Sequence, residues 1–81
     1  MRTFAEIARE IKSLWARRES DRCKYALPYL DAMLEINSTS KDAPYYYDDA
    51  KTVVLYFLAN VEYWRGEDAR RIKAELKAMV A

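Results

Sequence analysis

The chain has 81 residues, one Gly, two Pro, one Cys, no His and a formal net charge of +1 at pH 7. That length supports one core of marginal size. A lone thiol without histidine excludes an internal disulfide and a structural zinc site, and the near-neutral charge gives no whole-molecule pull toward nucleic acid. The scarcity of turn residues and the abundance of Ala, Leu, Glu, Lys and Arg favour helices over strands.

Thr3 and Glu6 form a T-x-x-E capping box that opens a first helix. Phe4, Ile7, Ala8, Ile11, Leu14 and Trp15 then recur at helical spacing, with Arg9, Glu10, Lys12, Ser13 and Arg17 opposite. The pattern fades at Arg17-Arg18-Glu19-Ser20, where basic residues suit a helix C-terminus. Ser20 or Asp21 is the candidate cap of a second helix, but Pro28 demands a short turn before it or a kink at it. The secure helical part is Pro28 to Ile36, with Leu27, Leu30, Met33 and Leu34 inward. Residues 37–44, NSTSKDAP, read as a loop.

Pro44 suits the first turn of a third helix capped near Asp42 or Ala43, while Asp48 and Asp49 mark a later start near Tyr47 or Asp48. Within this helix the stretch Thr52–Trp64, TVVLYFLANVEYW, is apolar in nearly every direction. A helix of that kind is a membrane span or the post of a small core. Crossing about 30 Å of hydrocarbon takes roughly 20 apolar residues, and these thirteen include Asn60 and Glu62. A buried central post is therefore expected, its main face Ala50, Val53, Val54, Phe57, Leu58 and Val61. Gly66 is expected at the left-handed position that ends this helix. Glu67 and Asp68 then open a fourth helix with Ala69, Ile72, Leu76, Met79 and Val80 buried, forming an αα-hairpin with the third through a tight turn at Arg65-Gly66-Glu67.

The fold class that follows is all-α: a compact three-to-four-helix bundle, one domain over residues 1–81, with the third helix at its centre. Met1-Arg2-Thr3 leads straight into an amphipathic pattern, so no secretory leader and a reducing, cytoplasmic setting are expected. In that setting the Asn37-Ser38-Thr39 sequon is silent.

Catalytic chemistry is thinly represented. No His is present to exchange protons near neutral pH, and one glycine cannot build a phosphate-cradling loop. Cys23, between Arg22 and Lys24, reads as a small apolar residue rather than a nucleophile, although those cations at a helix start would lower its pKa. Asp31 and Glu35 share a helical face, a common surface pairing, and Asp48-Asp49 diverge on a helix. A non-enzyme without cofactor or metal is expected.

Two features are suited to binding. Tyr45, Tyr46 and Tyr47 are consecutive, and three adjacent helical residues fan over about 200°, so at least one ring must face solvent or a partner. Lidding the end of the bundle is the plainer role for these rings. The second feature is the basic side of the last helix: Arg65, Arg70, Arg71, Lys73 and Lys77. Residues 1–24 carry +3 (seven basic, four acidic), residues 25–62 carry −4 (two basic, six acidic) and residues 63–81 carry +2 (five basic, three acidic), so packed terminal helices would present a modest basic face. As a helix-turn-helix reader the segment is poor, because Glu62 stands where a small residue lets two such helices approach. The reading that follows is a non-catalytic protein-interaction or regulatory adaptor acting through exposed aromatics, with an unidentified protein partner or a homodimer and no membrane association. The alternative is a nucleic-acid accessory protein using the basic terminal helices.

MRTFAEIAREIKSLW and VVLYFLANVEYWRGEDARRIKAELKAM resemble short uncharacterised helical proteins encoded by phages and conjugative elements of gut Gram-positive bacteria. The resemblance covers the first helix and the last two. It implies a cytosolic accessory role and transfers no functional residues.

Overall fold

The computed structural model describes residues 1–81. Four α-helices, α1 (Phe4–Arg17), α2 (Leu27–Met33), α3 (Ala50–Ala59) and α4 (Glu67–Met79), are joined by two short 3-10 turns and one antiparallel hairpin of β1 (Pro44–Tyr45) and β2 (Asp48–Asp49). The molecule is thus mostly helical, and the hairpin departs from the expected all-α bundle.

Helix α1 follows its sequence pattern closely. Thr3 accepts from the backbone N–H of Glu6 at 3.1 Å, and Glu6 accepts from the Thr3 N–H at 2.8 Å. Two further N–H groups of its first turn, Phe4 and Ala5, donate to the Ser38 and Ile36 carbonyls, so the loop after α2 completes the cap. Phe4, Ile7, Ala8, Ile11 and Trp15 are buried. Before Pro28 the chain winds through 3-10 turns at Glu19–Asp21 and Lys24–Ala26, neither capped by a side chain, and enters α2 with Pro28 in its first turn. The short turn expected before Pro28 is present. Helix α2 ends at Met33 rather than Ile36, which is nonetheless buried.

The start of α3 corrects the placement of Pro44. Pro44 pairs with Asp49 and Tyr45 with Asp48 in the hairpin, a two-stranded edge that tolerates a residue without an N–H. Asp49 caps the helix, its Oδ1 accepting from the Thr52 N–H and hydroxyl, both at 2.8 Å. The Ala50 and Lys51 N–H groups donate back to the Ala43 and Lys41 carbonyls. A start at Asp49 satisfies three N-terminal donors together, which a start at Pro44 does not.

The end of α3 corrects two further expectations. The helix stops at Ala59, where Asn60 turns its side-chain amide onto the Tyr56 carbonyl at 2.8 Å and competes with the helical ladder. Residues 60–66 form an irregular connection that still buries Val61 and Trp64. Gly66 does not end α3; it caps α4 at φ 112°, ψ 178°, a conformation open to glycine alone. In place of a tight αα-hairpin turn, α4 is tied to the first helix by ion pairs described below.

Nor is α3 a fully wrapped post. Ala50, Val53, Val54 and Phe57 are buried, whereas Leu55 is 47% and Tyr56 54% exposed. A chain this short has too little surrounding structure to cover every side of a helix. The core is instead a shared layer in which Trp15 of α1 stacks on Phe57 at 6.1 Å and meets Trp64 edge-on at 5.4 Å. Ala69, Ile72 and Leu76 of α4 complete it. No helix is long and apolar enough to cross a membrane.

Candidate functional site

The three consecutive tyrosines lie on the hairpin, not on a helix. Tyr45 ends β1, and Tyr46-Tyr47 form its two-residue turn. Tyr46 is the one non-glycine residue with positive φ, at 55°. Two-residue hairpin turns favour Gly or Asn in that conformation, because a side chain there crowds its own backbone. The chain instead places a bulky ring at the strained position and a second ring after it. Tyr46 is 82% and Tyr47 104% exposed.

Tyr45 holds this tip to the body of the protein. Its hydroxyl donates to Glu35 Oε2 at 3.0 Å, and Tyr46 lies edge-on to it with centroids 4.8 Å apart. The Glu35 carboxylate pushes the Tyr45 phenol above its ordinary value of 10.0, so the hydroxyl stays protonated and donating. Thus one tyrosine of the three is an anchor, and two are displayed. Along the flank between α2 and α3 a second aromatic pair occurs, Tyr29 stacked on Tyr56 at 5.4 Å. Tyr29 and Tyr56 meet in one half of each helix, and Glu35 meets Tyr45 near the other ends, so the two helices run antiparallel. Exposed Leu55 and Tyr56 are on α3, and exposed Tyr25 is in the turn before α2. Leu55 and Tyr56 lie off the main face read for that helix, and their exposure narrows the expected post to its Val53-Val54-Phe57 side.

The basic residues of the terminal helices separate into two groups. Arg71 is neutralised: it donates to Glu10 Oε2 at 2.8 Å and to Asp68 Oδ1 at 3.1 Å. Arg2 bridges Glu10 at 2.7 Å and Glu75 at 2.6 Å. These pairs hold both guanidiniums above, and Glu10 below, their ordinary values, since each favours the charged forms. The seam between α1 and α4 is therefore a compensated network, which corrects the expectation of a joint basic face.

Arg65, Arg70, Lys73 and Lys77, by contrast, line one depression of about 470 Å³ beside Trp64 and Gly66, with no carboxylate in its wall. Lys73 donates to the Trp64 carbonyl at 2.6 Å and lies 6.0 Å from the Trp64 ring centre. Burial lowers the Lys73 pKa; Cys23 opposes the shift, while Lys77 and Arg65 add to it by repulsion. Arg65, Arg70 and Lys77 make no ion pair.

The remaining chemical candidates are occupied by structural work. Asp31 pairs with Lys12 at 2.8 Å, and Glu35 receives Tyr45. Partial burial pushes the Cys23 thiol up, against the lowering expected of Arg22 and Lys24. No protein-family model matches the chain, and neither a curated protein nor a solved structure matches it.

Proposed function

We propose that the protein is a non-catalytic interaction module that docks a protein partner, or a second copy of itself, on the Tyr46-Tyr47 tip of its hairpin. The observation that carries this reading is the strained, displayed pair of rings. A left-handed tyrosine costs conformational energy that Gly or Asn would avoid, and such strain collects where function needs the side chain. Tyrosine offers a partner a large rigid face with a polar end at low entropic cost. The tip is held by the Glu35 anchor and the Asp49 cap, so little further order is lost on binding. An accessory adaptor role agrees with the resemblance to mobile-element proteins, and the absence of histidine agrees with a lack of catalysis.

The test pairs capture from the native host with sedimentation of the purified chain. Wild type should retain a protein, or form a dimer, that Tyr46→Ser/Tyr47→Ser loses with an unchanged melting temperature. Retention of the same partner by the double variant rejects the hairpin tip.

A second reading rests on the convergence of Arg65, Arg70, Lys73 and Lys77: nucleic-acid binding along α4, now without Arg71. Four phosphate contacts would release counterions with a slope of about −3.6 in log affinity against log salt. Duplex DNA binding with such a slope, flattened by Arg70→Gln/Lys77→Gln, is the expected signature. No binding at about 50 mM salt removes this reading.

A further inference from the structure

A third region lies apart from both surfaces. Where α1 ends and the 3-10 turns lead into α2, a cleft of about 600 Å³ opens in the surface. Lys12, Arg17, Arg22 and Glu19 stand around it, and Lys12 is paired with Asp31 at 2.8 Å. Trp15, Leu27 and Leu30 supply apolar wall. Neither Arg17 nor Arg22 forms an ion pair or a side-chain hydrogen bond, whereas neighbouring Arg18 is paired with Asp21 at 3.5 Å. Two guanidiniums without a carboxylate partner, Arg17 and Arg22, thus line the concavity.

Trp15 adds an aromatic ring to the wall. Its indole Nε1 is enclosed and has no hydrogen-bond partner, so what the residue offers a ligand is apolar ring surface. Pockets for small ligands span roughly 300–1,000 Å³ and combine apolar lining with a few converging polar groups, and this cleft has both properties.

We infer that the cleft between the end of α1 and the start of α2 binds a small anion with an apolar body, a carboxylate or phosphate head carried on a ring or short chain. Arg17 and Arg22 take the head, since a guanidinium presents two parallel donors to such a group. Lys12 keeps its link to Asp31. The body lies against Leu27, Leu30 and the Trp15 ring. The site is independent of the tyrosine tip and of the α4 depression, and neither of those readings depends on it.

The probe is 2-naphthoate, with 2-naphthyl phosphate as a second head group, 2-naphthalenemethanol as the neutral body and acetate as the head alone. In nitrogen–proton correlation spectra of the full chain, both naphthyl anions should shift the Trp15 indole resonance and the amides of Arg17 to Leu27. The alcohol and acetate should each bind at least about tenfold more weakly, a difference of roughly 1.4 kcal/mol. Arg17→Gln/Arg22→Gln should weaken 2-naphthoate by tenfold or more, and Arg17→Lys/Arg22→Lys should recover part of that loss at an unchanged melting temperature. The proposal is overturned if the alcohol matches the anions, if the shifts map to Arg65–Lys77, if the Gln variant binds as wild type, or if millimolar naphthoate leaves the Trp15 resonance in place.

Discussion

Helices α1 and α3 are both rich in apolar residues, yet they use them in opposite ways. Along α1 the apolar residues form one stripe, the stripe is buried, and the polar side is tied down through Glu10 and Lys12. Around α3 they occupy more than one face; Val53, Val54 and Phe57 are buried while Leu55 and Tyr56 meet solvent. Hydrophobicity beyond what the core can absorb is left on the outside of this helix. In a domain of this size, apolar content and burial therefore separate.

The sharpest way to break that contrast is within α3 itself. Phe57→Ala should cost about 3–5 kcal/mol, because the ring is fully enclosed and stacks on Trp15. Denaturant unfolding would measure it, and a loss near zero would mean that the buried face has been misassigned. Acid tests the polar side of both helices. Glu6, Glu10 and Asp49 are held below their ordinary values of 4.5, 4.5 and 3.8 by the Thr3, Arg71 and Thr52 hydrogen bonds respectively. A depressed carboxylate stabilises the fold above its unfolded pKa, and that contribution is lost as pH falls through the folded value. The melting temperature should thus be insensitive to these groups above about pH 5 and decline below it. A protein more stable at pH 3 than at pH 6 would contradict all three pairings.

Smaller effects sharpen the comparison. Thr3→Ala should cost about 1 kcal/mol through loss of the α1 cap and should also soften the acid limb, since it removes a bond that depresses Glu6. Tyr46→Asn should be neutral or raise stability by up to about 1 kcal/mol, by easing the positive φ. Leu55→Ser, on the same helix as Phe57, should move stability by no more than about 0.5 kcal/mol. A larger loss from Leu55→Ser would show that this face is covered, as by a second copy of the chain.

How far the pattern could be read varies along the chain for identifiable reasons. The α1 cap and stripe were legible because capping box, periodicity and polar face agree over fourteen residues. The α4 stripe was legible for the same reason, with Ala69, Ile72, Leu76 and Val80 buried as its spacing requires. The hairpin was not, because Pro44 and the acids at 48 and 49 fit a helix start as well as an edge strand, and Tyr46-Tyr47 lack the usual turn residues. The basic candidates divided for a reason no composition contains: Arg71 meets Glu10 across 61 positions of sequence, while Arg65, Arg70 and Lys77 meet no acid.

Local chemistry, then, was enough to establish that this chain builds amphipathic helices without an internal disulfide or histidine, and where the first of them begins. Residues three and four apart face one another in any helix, so that information is carried by near neighbours. Only the packed molecule decided which side of α3 stays wet, that three tyrosines divide into one anchor and two displayed rings, and that three cations gather around a cleft with Trp15 in its wall. Those outcomes depend on which distant segments pack into the same space, and a small core has room for only some of the apolar surface offered to it.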